Sequence, residues 1–259
     1  MTAAAPSIPP LADADNPFSL SGKTILVTGA SSGIGRQIAL SCALAGARIV
    51  ASGRNESRLA ALVTDLAGAG HRYVTGELND DASVKAMVAE VGAVDGAVHS
   101  SGIAALAPVR LASRSHIESQ MGVNFVGPML LTQQLLLRNA IASGGSIVFI
   151  SSISAHIGVQ GVSAYSASKA ALEAMARSLA MEVAKKKIRV NCLAPGFVET
   201  PMLAAARTTT GGLDATIAQY PLGVGLPEDV ANASIFLLSS ASRWITGTTL
   251  VLDGGHTVG

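Results

Sequence analysis

Short aliphatic runs alternate with longer amphipathic stretches from Lys23 to the end of the chain, and few folds accommodate that rhythm. The runs are Thr24–Thr28, Arg48–Ser52, Arg72–Thr75, Val94–Val98, Ser146–Ile150, Ile188–Leu193 and Thr249–Leu252. Between most of them lie Ala-rich segments of helical character, among them Gly35–Ala45, Ser57–Ala67, Ala82–Val91 and Tyr165–Lys187. Repeated strand–helix–strand units predict a doubly wound α/β fold, with the seven runs in one parallel sheet and helices on both faces. Composition agrees: 49 % hydrophobic against 3 % aromatic residues suits a core of Val, Ile, Leu and Ala around strands buried on both sides. Residues 21–259 read as one domain. Residues 1–20, with four prolines, no basic start and no continuous apolar stretch, read as a flexible tail and not as a signal peptide.

Charge and cysteine content exclude several classes of function. A formal net charge of +1 with no basic stripe gives no support to nucleic-acid binding. The one cluster, Lys185-Lys186-Lys187, falls where a helix should end, and cations suit that position. Cys42 and Cys192 lie in apolar elements without metal-ligand spacing, so buried free thiols in a reducing, cytoplasmic setting are expected. The histidines form no metal-binding pattern, and no apolar run is long enough to span a membrane. With only 14 % charged residues the chain is more apolar than a monomer's core requires, which points to helix faces buried between subunits.

Ligands of such sheets bind beyond the carboxyl ends of the strands, where strand order reverses. The first run leads into Thr28-Gly29-Ala30-Ser31-Ser32-Gly33-Ile34-Gly35 and then a helix. Gly29 allows a sharp turn, Gly33 allows the backbone to approach a pyrophosphate, and Gly35 lets the helix pack on the strand. At the end of the second run, where an acid would hold the ribose 2′-hydroxyl of NAD, the chain reads Ser52-Gly53-Arg54-Asn55. The Arg54 guanidinium suits a 2′-phosphate, so NADP(H) is favoured, with NAD(H) as the alternative.

Tyr165 and Lys169 are four residues apart on a predicted helix and share one face. An ammonium there favours tyrosinate and lowers a phenol pKa, tuning it for proton exchange with an alcohol oxygen. Ser152, just after the fifth run, is placed to donate to a substrate carbonyl or to cap a turn. Asn124 falls inside a predicted helix, where a buried amide calls for a partner or a water.

Taken in order, Thr28–Gly35, Asn124, Ser152, Tyr165 with Lys169, Pro195-Gly196 with Thr200, and Asp253-Gly254-Gly255 resemble the short-chain dehydrogenase/reductase family in its single-domain form, over roughly Gly22 to Gly259. The resemblance implies a Rossmann fold and a homotetramer built on helices Ser115–Ala140 and Tyr165–Lys187. It implies that Tyr165 is the general acid in ketone reduction and the base in alcohol oxidation, and that Ser152 polarises the carbonyl. Lys169 would lower the Tyr165 pKa and bond the nicotinamide ribose, and Asn124 would hold a water linking Lys169 to solvent. The cofactor would lie against Gly29, Ser31, Ser32, Gly33, Ile34, Gly35, Arg54, Leu78, Ser100 and Gly102. Around the nicotinamide it would meet Tyr165, Lys169, Pro195, Gly196, Val198 and Thr200.

The chain departs from the family pattern twice. His99-Ser100-Ser101-Gly102 stands where Asn-Asn-Ala-Gly is common, and Glu77 replaces an Asp near the adenine. Retained cofactor binding is expected, with His99 structural. The segment 200–222 occupies the family's substrate loop; Gly211-Gly212 reads as a lid hinge or as a plain surface loop. Wall residues Ile153, His156, Val159, Met202 and Leu203 favour an apolar or acyl ketone, while Arg207 would suit an acidic group. The expected activity is metal-free, NADP(H)-preferring ketone reduction, first on a 3-oxoacyl thioester carried by acyl-carrier protein or CoA. An NAD-dependent secondary-alcohol or polyol dehydrogenase is the second reading, and a non-catalytic dinucleotide sensor or scaffold the third.

Overall fold

In the computed structural model, residues 16–209 and 213–258 are described. Strands β1 (Thr24–Thr28), β2 (Arg48–Gly53), β3 (Arg72–Thr75), β4 (Val94–His99), β5 (Ile141–Ile150), β6 (Arg189–Pro195) and β7 (Thr249–Leu252) form a single sheet in the order β3-β2-β1-β4-β5-β6-β7. Every adjacent pair is parallel. Strand order reverses between β1 and β4, so the carboxyl ends of those two strands mark the ligand crevice. This is the doubly wound Rossmann architecture.

Period-two alternation assigns the strand side chains to two cores. From β1, Leu26 enters one core while Ile25 and Val27 enter the other; from β5, Ile147 and Phe149 go one way and Val148 and Ile150 the other. Helices α1 (Gly33–Leu44) and α2 (Glu56–Asp65) cover the face of Ile25, together with α9 (Pro227–Leu238). On the opposite face lie α3 (Asp81–Val91), α5 (Gly127–Leu137) and α6 (Ser163–Val183). Helices α4 (Arg114–Met121), α7 (Pro201–Thr209) and α8 (Leu213–Ile217) complete the set.

Several boundaries differ from the expected ones. Strand β5 starts at Ile141, because Ile141 pairs with Val94 before the register shifts at Gly96. The helix expected over Ser115–Ala140 is interrupted: Gly122–Val126 forms a π turn between α4 and α5. Pro128 at the start of α5 has no N–H to return to the carbonyl of Asn124, four residues earlier, and this favours the wider turn. Of the expected tail, residues 1–15 lie outside the described ones. Residues 16–20 are not loose: Leu20 is fully buried, its N–H donates to Ala45 O at 2.9 Å, and Phe18 packs on Phe236. Gly211 and Gly212, the expected hinge, also lie outside the described residues.

Candidate active site

The glycine turn after β1 sits in the crevice. Gly29 has φ +67°, and a Cβ there would lie 2.8 Å from Ser101 N and 2.9 Å from Ser100 O, so only glycine lets the β1 and β4 loops close on each other. Thr28 Oγ1 holds that approach by accepting from Ser100 N and Ser101 N at 3.2 and 3.3 Å. Gly35 packs α1 against the carbonyl of Gly29, where a side chain would collide. Ser32 stands at the N-cap of α1 yet makes no side-chain cap, and the first turn contains no acid. Among the described residues no side chain caps the leading N–H groups of α1, which present a partial positive charge, a site that fits a pyrophosphate.

The other expected cofactor residues line the same crevice or its edges. Ser31 Oγ is 3.5 Å from the position a Cβ would take on Gly53, and Ile34 packs on the core beneath. Thr200 Cγ2 lies 3.6 Å from the position a Cβ would take on Gly33, which brings the turn after β6 over the glycine loop. In that turn, Gly196 N donates to Leu252 O at 2.9 Å, Val198 is buried, and Thr200 Oγ1 donates to Val198 O at 3.1 Å. Pro195 is the last residue of β6, and Leu78 is buried against Gly127. Arg54 is exposed at the end of β2, 3.8 Å from the Glu77 carboxylate. Glu77 therefore faces the guanidinium that the sequence assigns to a phosphate.

Helix α6 delivers Tyr165 and Lys169 to the carboxyl end of β5. Lys169 Nζ lies 5.7 Å from the centre of the Tyr165 ring and donates to Ile150 O at 2.9 Å. Its near-complete burial pulls the ammonium down from 10.5 to about 8. The Tyr165 phenol moves opposite to expectation: burial pushes it up, and a hydrogen bond with Ser152 only partly offsets this. Desolvation dominates, and the hydrogen bond from Ser152 is the influence that opposes it. Ser152 Oγ accepts from Ser154 N at 3.2 Å and Ser154 Oγ at 3.1 Å, which fills its acceptor side and leaves its own proton to give away.

Asn124 is fully buried, and its amide is spent on protein groups. Oδ1 accepts from Ile103 N at 2.8 Å, while Nδ2 donates to Ile103 O at 2.9 Å and Ser168 Oγ at 3.0 Å. It thereby clamps the loop after β4 to α6. Gly102 fits between them, since a Cβ there would stand 3.3 Å from both Asn124 Oδ1 and Lys169 Nζ.

His99 closes β4 in a structural setting. It is buried, stacks on Phe149 at 4.7 Å, and its Nε2 meets Thr132 Oγ1 at 3.1 Å. Thr132 gives its own proton to Pro128 O at 2.8 Å, so Nε2 is the donor and Nδ1 carries the lone pair. Burial holds the ring neutral by lowering its pKa to about 3.

Of the expected substrate wall, Ile153 and Leu203 are buried, whereas Val159 and Met202 are exposed. His156 Nε2 is engaged by Glu173 at 2.9 Å, and Arg207 forms a two-pronged pair with Glu199 at 2.8 and 3.0 Å. Sequence reasoning missed Glu173, Ser154, Ser168 and Tyr220. Glu173 had a readable signal, an acid one turn beyond Lys169 on the same face of an apolar helix. Tyr220 OH accepts from Phe197 N at 3.1 Å across the β6 turn, a tertiary contact with no local signature.

A parallel doubly wound sheet, a glycine turn at its switch point and a Ser–Tyr–Lys group beside it define a dinucleotide-dependent oxidoreductase. The profile of a family described as enoyl-(acyl carrier protein) reductase matches residues 29–257. D-threitol dehydrogenase of Mycolicibacterium smegmatis is 38 % identical over 94 % of this chain and 96 % of its own length. A 3-oxoacyl-(acyl-carrier-protein) reductase of Chlamydia pneumoniae is 36 % identical over 93 % and 99 %. The crystal structure of a gluconate 5-dehydrogenase from Burkholderia cenocepacia, in complex with NADP and tartrate, superposes with a TM-score of 0.86 at 31 % identity, covering 94 % of this chain and 98 % of that one. The chain belongs to the short-chain dehydrogenase/reductase family, whose members are NAD(P)-dependent oxidoreductases.

Proposed function

We propose that this protein is an NADP(H)-preferring reductase that converts a ketone to a secondary alcohol, with Tyr165 as the general acid. The observation that carries the reading is the convergence of three side chains at the carboxyl end of β5: Tyr165 hydrogen-bonded to Ser152, with Lys169 Nζ 5.7 Å from the centre of the phenol ring. A phenol so placed is protonated at neutral pH, the state from which ketone reduction draws its proton. Ser152, its acceptor side filled by Ser154, directs its proton at the carbonyl oxygen. Lys169 keeps positive charge beside the phenol below about pH 8 and, with Tyr165, would face the nicotinamide ribose. Asn124 would hold the relay water that links Lys169 to solvent. Bound NADPH would supply the hydride.

Gly29, Ser31, Ser32, Gly33, Ile34 and Gly35 would hold the pyrophosphate, and Arg54 the 2′-phosphate, after leaving Glu77. Leu78, Ser100 and Gly102 would flank the adenosine half, and Pro195, Gly196, Val198 and Thr200 the nicotinamide. The substrate class is first a 3-oxoacyl thioester on acyl-carrier protein or CoA, as in the Chlamydia relative's name. A secondary-alcohol or polyol dehydrogenase is the second reading, supported by the threitol and gluconate enzymes among the relatives. No helix of the described residues is long and apolar enough to cross a membrane; the setting proposed is cytoplasmic. The assembly proposed is a homotetramer.

The test is titration with NADPH and NADH by nicotinamide fluorescence, followed by a panel of acetoacetyl-CoA, ethyl 3-oxobutanoate, threitol and gluconate. Tighter NADPH binding with turnover of the 3-oxo compounds is expected. Faster oxidation of threitol with NAD+ as the hydride acceptor would replace this reading by the second. Tyr165→Phe should lower turnover by at least a thousandfold and leave NADPH affinity within about threefold, since one proton donor is removed and the crevice is unchanged.

A further inference from the structure

Helix α6 carries three functional side chains at four-residue spacing on one face: Tyr165, Lys169 and Glu173. Glu173 is buried on the site's side of the helix, and a single oxygen, Oε1, accepts from two groups of the facing segment. Ser151 Oγ donates to it at 2.7 Å and His156 Nε2 at 2.9 Å. Those residues bracket the short 3₁₀ turn Ile153–Ala155, whose N-cap is Ser152. Ser151 is also anchored through its N–H to Leu193 O at 2.7 Å, and its Oγ lies 3.2 Å from Lys169 O.

We infer that Glu173 is a positioning residue for the reaction: its carboxylate ties both ends of the Ser151–His156 segment to the helix bearing Tyr165 and Lys169, and so fixes Ser152 against the phenol. The inference rests on the proposed roles of Ser152 and Tyr165. A buried carboxylate is expensive to desolvate, and one accepting two side-chain hydrogen bonds from a single loop gains its compensation only if that loop stays in register. Ser152 itself is not held by Glu173. What Glu173 holds is the pair of side chains on either side of it, Ser151 and His156. His156, expected in the substrate wall, is thereby committed to the scaffold through Nε2.

The experiment compares wild type, Glu173→Gln, Glu173→Leu and Tyr165→Phe, using the first ketone of the panel that wild type reduces. Glu173→Leu should lower kcat at least tenfold with NADPH affinity within twofold. Glu173→Gln, which retains an oxygen acceptor of the same reach, should restore kcat to within about threefold of wild type. A folded Glu173→Leu protein with wild-type kcat overturns the inference, as does a folded Glu173→Gln protein as impaired as the leucine variant. Should Glu173→Leu not fold, the Ser151→Ala, His156→Asn double variant releases the segment from the other side, and unchanged kcat there overturns the inference equally. Tyr165→Phe separates the two levels: if it retains turnover the proton-transfer reading fails, and if it alone loses turnover only the role of Glu173 fails. Wild type reducing no ketone overturns both.

Discussion

Lys169 shows what one residue contributes at the expense of another quantity. Its folded pKa of about 8 lies below the 10.5 of the unfolded chain, because burial disfavours the ammonium. Below pH 8 the residue is protonated in both states and folding carries the full penalty. Between pH 8 and 10.5 the folded form sheds its proton first, and stability rises. At roughly 1.4 kcal/mol per pH unit the penalty is about 3 kcal/mol, reduced by whatever the bond to Ile150 O returns. Lys169→Met should therefore be inactive yet about 1–2 kcal/mol more stable than wild type at pH 7, with the difference gone by about pH 10.5. Urea unfolding at both pH values measures it; a variant less stable at pH 7 would mean that the lysine is compensated in the fold.

Elements were legible where their signals are local. The glycine turn after β1 and the Tyr165–Lys169 pair lie within single βα or helical segments, and residue type with spacing suffices to place them. The first residues of β5, the packing of residues 16–20 and the grip of Glu173 on Ser151 and His156 depend on partners far along the chain, so periodicity could not show them. The pKa direction of Tyr165 failed for the same reason: desolvation belongs to the folded environment. The π turn was illegible because its apolar pattern differs from an α-helix by one residue, although Asn124 and Pro128 marked the place. Gly127, just after that turn, tests how tightly the element is seated. A Cβ there would lie 2.8 Å from Leu78 Cβ and 3.1 Å from Leu78 O, so Gly127→Ala should cost about 1–3 kcal/mol in thermal unfolding. A change under about 0.5 kcal/mol would mean that the contact relaxes freely.

At the scale of the whole molecule, an apolar groove lies open between α5 and α6. Met129 and Leu137 are exposed on α5, and together with Phe125, Leu136, Ala171 and Met175 they line a groove between α5 and α6. An exposed patch of this kind favours association, and a homotetramer of the 26.1 kDa chain would run near 104 kDa. Leu137→Glu should yield smaller species in light scattering at micromolar concentration; an unchanged mass would place the contacts elsewhere. The π turn Gly122–Val126 lies between that surface and the catalytic crevice. A π turn carries one residue more than the α turn it replaces and sweeps nearly the same angle, so α5 keeps the phase of an uninterrupted helix and Leu131 and Leu135 still face the core. The extra residue is thus spent locally, where Asn124 meets Ile103, and the outer end of the helix does not register it.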